Sequence, residues 1–223
     1  MATNQNVTDI DTAKLLSILS NEDELIVKPF QSGNGPGMEV GECGKIVSRV
    51  NRTLFYYQIG DNGNTSKINL KFSQKIMLLN PETKEVILEF YQNHLPVLSK
   101  LHFKPDVRCL GTQSNNAASI GSIKKRLAFG KVWYDVYDNR REHIASLALR
   151  KNHIKGKIQH RVLQVLIFNG DESKAIGHIY PYSSDLQRTE YGSAVAIKIP
   201  QDMKVETKAI LLISTLMLKP RLH

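Results

Sequence analysis

The chain has 223 residues, of which 41% are hydrophobic and 23% are charged, and these proportions are ordinary for a globular domain. No charged-then-apolar leader follows Met1, so the sequence predicts no secretory signal. Cys43 and Cys109 are far apart and form no C-x-x-C pair. This pattern predicts reduced thiols in an intracellular protein and excludes a disulfide framework or a cysteine metal site.

The net charge of +9 is concentrated in the middle of the chain. Residues 94–161 contain 14 lysines and arginines against 4 acidic residues. A localised positive field attracts polyanions, which here means either an anionic lipid surface or nucleic acid.

The first 22 residues form a polar N-terminal segment with one short amphipathic helix. The helical spacing over Thr12–Leu19 places Leu15, Ile18 and Leu19 on one face. We expect this helix to cover one end of the domain that follows, over residues 23–218.

Most of the following chain has the pattern of β-hairpins. Gln74–Phe90 turns at Asn80-Pro81, Val132–Leu149 turns at Asp138-Asn139, and Val162–Tyr180 turns at Asn169-Gly170. Three similar hairpins predict a meandering antiparallel sheet. Asp171 and Glu172 follow the third turn, and we interpret them as a solvated turn rather than an acid–base pair.

The last long segment predicts a buried helix over about residues 203–218. Pro200 ends a strand-like run, and Asp202 is expected to cap the helix. The span Val205–Leu218 is almost wholly apolar and must be enclosed by protein or by lipid. These 14 residues would form a helix about 21 Å long. A helix that crosses a bilayer needs roughly 20 apolar residues, so the shorter length favours enclosure by protein over a membrane anchor. The residues expected at its centre are Val205, Ala209, Leu212, Ile213 and Leu216.

A closed antiparallel β-barrel around this helix would bury both the helix and the inner face of the sheet. The sequence therefore predicts a mainly β fold with a central C-terminal helix and a basic tail over residues 219–223. No spacing typical of a metal site, a nucleophile elbow or a phosphate-binding loop is present. We expect no catalytic residues, no metal and no cofactor.

The candidate binding residues are basic. As a group they follow the motif Ile120–Ile123, lie in the second predicted turn, and continue through the acid-free run over residues 150–161. They are Lys124, Lys125, Arg126, Arg140, Arg141, Arg150, Lys151, Lys155, Lys157 and Arg161. Each basic residue near an anionic membrane contributes about 1 kcal/mol, so five or more on one face would support reversible docking.

The terminal stretch P-Q-D-M-K-V-E-T-K-A-I-L-L resembles the ending of the phospholipid scramblase family, P-L-D-L-D-V-K-M-K-A-V-M-I. Pro200, Asp202, Val205, Lys208 and Ala209 match position for position. The segments D-E-L-I-V, I-M-L-L-N-P-E-T-K-E-V-I-L-E-F and K-A-I-G-H-I are similar to further family segments in the same order. The resemblance implies a tubby-like fold, with about twelve strands around a central helix.

The resemblance also implies a function, which is the movement of phospholipids between leaflets without covalent chemistry. The family's calcium-linked segment falls on residues 191–196, which carry no carboxylate, so calcium dependence is not expected. The family's cysteine-rich and proline-rich segments are absent. We expect a peripheral protein on the cytoplasmic face of an anionic membrane, with the plasma membrane favoured.

Two alternatives remain open. One is a lipid-binding adaptor that does not transport lipid. The other is a nuclear nucleic-acid-binding regulator, although no base-reading motif is present. Trp133, Tyr134 and Tyr137 alternate in a predicted strand, and we interpret them as packing and sheet-surface residues rather than a base-stacking platform.

Overall fold

A computed structural model of the chain describes residues 14, 16–30, 42–61, 73–93, 106–110, 117–128, 131–151, 162–182 and 194–222. The described residues form twelve strands and one long helix, Val205–Leu218. The strands are β1 (Glu24–Pro29), β2 (Glu42–Ser48), β3 (Thr53–Asp61), β4 (Ser73–Leu79), β5 (Val86–Asn93), β6 (Asp106–Leu110), β7 (Ala117–Ala128), β8 (Lys131–Asp138), β9 (His143–Lys151), β10 (Val162–Asn169), β11 (Ala175–Tyr182) and β12 (Ala194–Lys198).

The strands form one closed antiparallel barrel. Each strand pairs with its neighbours in sequence, and β1 pairs with β12 at Glu24↔Lys198 to close the ring. Closure removes the unpaired edges that an open sheet would expose. The predicted mainly β fold with a C-terminal helix is therefore confirmed.

The three predicted hairpins are present, and they share one turn chemistry. Asn80 Oδ1 accepts a hydrogen bond from the Glu82 amide at 2.8 Å, and Asp138 Oδ1 accepts from the Glu142 amide at 2.8 Å. Asn169 Oδ1 accepts from the Lys174 amide at 2.9 Å. Asn and Asp side chains favour turns because they can satisfy nearby backbone amides in this way.

The helix Val205–Leu218, called the central helix below, lies inside the barrel. It contacts β4, β8 and β12, which are spaced at equal intervals around the twelve-strand ring, and it also contacts β7. A helix that touches strands on all sides of a closed sheet must occupy its lumen. Every residue from Lys208 to Leu218 is buried, with Met217 the most exposed of them at 9%.

The residues predicted at the centre of this helix are placed as expected, with one difference. Ala209, Leu212, Ile213 and Leu216 are fully buried, whereas Val205 at the start of the helix is half-buried. The predicted cap at Asp202 is wrong. The helix begins after Lys204, which makes no side-chain capping bond, and Asp202 lies exposed in the preceding turn.

The two buried hydroxyl groups of the central helix form hydrogen bonds within the helix. Ser214 Oγ donates to the carbonyl of Ile210 and Thr215 Oγ1 donates to the carbonyl of Leu211, both at 2.9 Å. Buried hydroxyls without such partners would carry a desolvation penalty. Within the described ranges, no helix is both long and apolar enough to cross a bilayer.

The two ends of the barrel differ, and each is named here by its residues. The capped end contains the turns at Asn51, Lys84, Arg141 and Glu172, together with the residues before Val205. All four turn residues are non-glycine residues with positive φ, between 60° and 68°. The basic end contains the last residues of β7 and β9 and the first residues of β8 and β10.

Lys208 holds the capped end together. Its side chain is fully buried, and Nζ donates to the backbone carbonyls of Leu19, Ser20, Glu22 and Gln201 at 2.7 to 3.0 Å. An ammonium has three N–H donors, so at least one is shared between two carbonyls.

Burial and nearby carboxylates have opposite effects on the pKa of Lys208. Burial lowers the pKa of the Lys208 ammonium, and the carboxylates of Glu22, Asp202 and Asp23 act in the opposite direction. The lysine ties the N-terminal segment to the central helix.

Residues 16–22 of the N-terminal segment pack on the capped end, where a covering helix was expected. Its described part forms a 3₁₀ turn, Ser17–Leu19, and Leu16 and Leu19 are fully buried. Leu19 was expected on the buried face, whereas the contribution of Leu16 was not. Leu15 lies outside the described residues.

Two residues at the C-terminal end, Lys219 and Leu222, are packed against the barrel. Lys219, in the 3₁₀ turn Lys219–Arg221, is 5% exposed and donates to Glu42 Oε1. Tyr57 Oη donates to the same carboxylate oxygen at 2.9 Å, and Leu222 is 3% exposed. Within the segment predicted as a basic tail, the charge of Lys219 is therefore neutralised against β2.

Candidate functional site

A group of exposed residues at the basic end forms the first candidate site. We name the group the basic tip, and its members lie on β7 and at the start of β8. They are Lys124, Lys125, Leu127 and Lys131. All four side chains are exposed, and Leu127 is 74% exposed. None of the three lysines forms an ion pair with any residue that the structure describes.

The sequence prediction included Lys124 and Lys125 but omitted Leu127 and Lys131. The missed signal was the run K-K-R-L-A-F-G-K, in which an apolar stretch that begins at Leu127 lies between basic residues. Among the described residues, the large hydrophobic side chains that are exposed are Val50 and Leu127. Leu127 therefore adds an accessible apolar group to a cationic surface.

Arg126 does not belong to the exposed basic group, although the sequence placed it there. Its Nε donates to Asp135 Oδ2 at 2.7 Å, and Nη2 donates to Asp135 Oδ1 at 3.0 Å and to Glu172 Oε1. The hydrogen bond to Asp135 is the main factor that raises the pKa of Arg126. Because two carboxylates already take up these donors, Arg126 acts as a structural cation and not as a free ligand for lipid headgroups.

Asp135 and Glu172 belong to a polar cluster on the outer surface of β8 and β9. Asp135 is 3% exposed and Ser146 is fully buried. Ser146 Oγ lies 3.0 Å from Asp135 Oδ1, 3.1 Å from Glu172 Oε1 and 2.9 Å from His143 Nε2. Glu172 therefore lies in the expected turn but is half-buried and paired rather than solvated, whereas its neighbour Asp171 is exposed.

Three side chains of this cluster carry groups that can bind a cation. The carboxylate and imidazole ligand atoms of Asp135, His143 and Glu172 all lie within 4.8 Å of one another. However, Ser146 Oγ already lies within 3.1 Å of an atom of each of the three side chains, and Arg126 forms an ion pair with each of the two carboxylates. The arrangement favours a structural network over a metal ion.

Arg140 and Arg141 lie at the opposite end of the barrel from the basic tip. Both are exposed in the β8–β9 turn of the capped end, and the Arg140 amide donates to Asp138 Oδ1 at 2.9 Å. The predicted basic set is therefore divided between two ends and cannot contact one flat surface as a whole.

The remaining predicted residues lie at the end of β9 and in the sequence that follows it. The backbones of Arg150 and Lys151 pair with Gln164 and Val162 on β10, which places these two positions at the basic end. Lys155, Lys157 and Arg161 lie outside the described residues, as do residues 191–193 of the segment compared with the family's calcium site.

A cavity of about 430 Å³ opens at the capped end beside the start of the central helix. Its charged side chains are of both signs, and include Arg140, Glu142, Lys204 and Glu206. The apolar side chains of Ile120, Ile144 and Ile210 also line it. The mixed charge distinguishes this cavity from the uniformly cationic basic tip.

Comparisons with known proteins add little to this description. No family model and no curated protein matches the chain. A solved structure of a protein from Arabidopsis thaliana is similar with a TM-score of 0.47 and 9% identity, over 92% of this chain and 98% of that one. A LolA superfamily protein from Nitrosomonas europaea is similar with a TM-score of 0.31 and 6% identity, over 85% of this chain and 94% of that one. Similarities this distant carry no argument about function.

Proposed function

We propose that the protein binds the surface of anionic phospholipid membranes from the cytoplasmic side through its basic tip. The observation that carries this proposal is the exposure of three lysines without ion pairs among the described residues, next to Leu127, which is 74% exposed. This arrangement supports the lipid-binding function that the resemblance to the scramblase family implies.

The magnitudes are those of reversible docking. Three lysines contribute about 3 kcal/mol near an anionic surface, and burial of one leucine side chain contributes about 1.5–3 kcal/mol. The sum of about 5 kcal/mol corresponds to a dissociation constant somewhat below millimolar. Arg150 and Lys151, whose backbones lie at the same end, would add to this attraction.

The geometry favours binding over lipid transport. A phospholipid headgroup that crosses a bilayer needs a polar path, because unsatisfied polar groups in hydrocarbon cost several kcal/mol. The described lumen is filled by the apolar side chains of the central helix. We therefore propose an adaptor-like lipid-binding protein, and the scrambling that the resemblance implies would require a path outside this lumen.

Pelleting with vesicles tests the binding proposal. We expect the full chain to pellet with mixed phosphatidylserine–phosphatidylcholine vesicles at low salt and to be released at high salt, because salt screens exposed charges. It should remain in solution with vesicles of phosphatidylcholine alone. Equal pelleting with both lipids, or none with either, would contradict the proposal.

A second assay separates binding from transport. Vesicles that contain fluorescent phospholipid in both leaflets are treated with a membrane-impermeant quencher, with and without the protein. We expect the inner-leaflet fluorescence to remain protected when the protein is bound. Loss of the protected fraction without vesicle leakage would show transport and would contradict the adaptor function.

A further inference from the structure

The chain contains one tryptophan, Trp133, and it lies on the outer surface of the barrel beside the basic tip. Its neighbours Tyr134 and Val136 on β8 are buried in the main core, with Tyr134 directly following it. Successive side chains of a strand point to opposite faces, so Trp133 and Asp135 share the outer face. Trp133 is half-buried there rather than enclosed.

Trp133 belongs to an apolar strip that crosses three strands. It pairs with Ala148 on β9, and Ala148 pairs with Leu166 on β10, so the three lie in one row. The ring of Phe168 packs against Trp133 with centroids 5.7 Å apart. We call Trp133, Ala148, Leu166 and Phe168 the aromatic band. All four are half-buried and thus partly accessible.

The charges on either side of the aromatic band differ in sign. Towards the basic end, the band is followed by Lys131, two residues before Trp133 on the same face. Towards the capped end, it is followed by Asp135 and Glu172, whose carboxylates are held by Arg126. If the basic end of the barrel approached an anionic bilayer, the lysines would contact the bilayer first and the aromatic band next. The carboxylates of Asp135 and Glu172 would stay farthest from it.

Arg126 fixes the position of the ring. Its Cζ lies 5.3 Å from the centroid of the Trp133 ring, while its donors are fixed by Asp135 and Glu172. The tryptophan is therefore held between Arg126 and Phe168 in one orientation. Less entropy is lost when such a preorganised side chain binds.

We propose that the barrel binds the bilayer in a tilted orientation, with the aromatic band in the headgroup region. Leu127, on the opposite face of the same β7–β8 hairpin, would insert at the tip. Tryptophan favours this region of a membrane because its ring is apolar and its indole N–H is polar. This inference rests on the proposed function, since it assigns the orientation and the apolar part of the same contact. The partner is a phospholipid surface that carries negative charge.

The single tryptophan provides a direct test. The full chain is titrated with phosphatidylserine–phosphatidylcholine vesicles in which a fraction of the lipid carries bromine on the acyl chains near the headgroup. We expect the Trp133 emission to shift to shorter wavelength and to be quenched by the brominated lipid. Pelleting is measured on the same samples, so that binding and orientation are read separately.

Two further reporters give the matched controls, each in a Trp133→Phe background. Leu127→Trp places the ring at the basic tip, and Val50→Trp places it at the other exposed apolar position, in the β2–β3 turn of the capped end. We expect the Leu127→Trp variant to be quenched at least as strongly as wild type, and the Val50→Trp variant to be quenched less than one tenth as strongly.

The outcomes separate the two proposals. If no variant pellets with vesicles, the proposed function itself is wrong. If the protein pellets and Leu127→Trp is quenched while Trp133 is not, the barrel docks end-on and the tilted orientation is wrong. Quenching of Val50→Trp in protein that pellets would place the capped end on the bilayer and would also overturn the inference.

Discussion

Lys208 at the capped end and the lysines of the basic tip have opposite environments. At the capped end, Lys208 is fully buried and each of its donors is directed at a backbone carbonyl. At the basic end, Lys125 and Lys131 are exposed, and neither forms an ion pair with a described residue. A buried ammonium with backbone acceptors fixes how segments of one chain meet. An exposed ammonium without a partner is available to bind another molecule.

The comparison predicts a division of effects. Substitutions at the capped end should change the free energy of unfolding and leave membrane binding unchanged while the protein is folded. Substitutions of the basic tip should weaken membrane binding and leave the free energy of unfolding unchanged. Variants that fail to follow this division would show that the two ends are not separate in function.

The largest effect is expected from Lys208→Met. The substitution keeps the length of the side chain but leaves the carbonyls of Leu19, Ser20, Glu22 and Gln201 without their donor. Loss of a buried charged donor costs about 3–5 kcal/mol. Chemical denaturation measures the free energy of unfolding, and Lys204→Met, at an exposed position, is the control with an expected change within about 0.5 kcal/mol. Equal stability of the two variants would show that the buried ammonium is not what holds this end.

Reversal of charge at the two ends is expected to separate them in a binding assay. Lys124→Glu with Lys125→Glu removes two attractions and adds two repulsions of about 1 kcal/mol each, so vesicle binding at low salt should fall by about a thousandfold. Arg140→Glu with Lys174→Glu makes the same change in net charge at exposed positions of the capped end. This control should retain most of its binding. Similar losses in both variants would show that net charge, and not the basic tip, determines binding.

The sequence predicted the barrel and its central helix well because both depend on patterns that local physics dictates. Asn80, Asp138 and Asn169 each mark a turn, since their side chains satisfy amides a few residues ahead. The apolar character of residues 209–218 required enclosure, and a closed sheet around the helix provides it within one domain.

The candidate site was predicted less well because it depends on pairing across the sheet. Arg126 and Glu172 are 46 residues apart in sequence, and only the order of the strands brings them together. The same holds for Lys208, whose acceptors at Leu19 and Ser20 lie near the start of the chain. A basic residue therefore cannot be assigned to an exposed surface from its neighbours in sequence alone.

The polar cluster between the two ends should show an intermediate effect on stability. Asp135→Asn keeps the shape of the side chain but replaces an acceptor of Arg126 and Ser146 with an amide that carries no charge. We expect a loss of about 2 kcal/mol, because hydrogen bonds to charged groups contribute about 1.5–3 kcal/mol.

Chemical denaturation at low and high salt measures this effect. The loss should be insensitive to salt, since Asp135 is 3% exposed and buried pairs are screened weakly. Glu82→Gln, in an exposed turn, is the control and should change stability by less than about 0.5 kcal/mol. A strong dependence of the Asp135→Asn effect on salt would contradict the burial of this cluster.

The smallest effect is expected from substitution of the exposed apolar residues, of which one lies at each end of the barrel. Leu127 and Val50 are 74% and 83% exposed and lie at opposite ends of the barrel. Because neither is enclosed by the protein, Leu127→Ser and Val50→Ser should both leave the free energy of unfolding within about 0.5 kcal/mol of wild type.

Their effects on membrane binding should nevertheless differ. If Leu127 enters the bilayer, its replacement by serine removes at least about 1.4 kcal/mol of apolar burial and weakens vesicle binding about tenfold. This loss should persist at moderate salt, where the contribution of the lysines is reduced, whereas Val50→Ser should bind as wild type does. A Leu127→Ser variant with unchanged affinity would mean that the basic tip contacts the membrane through charge alone.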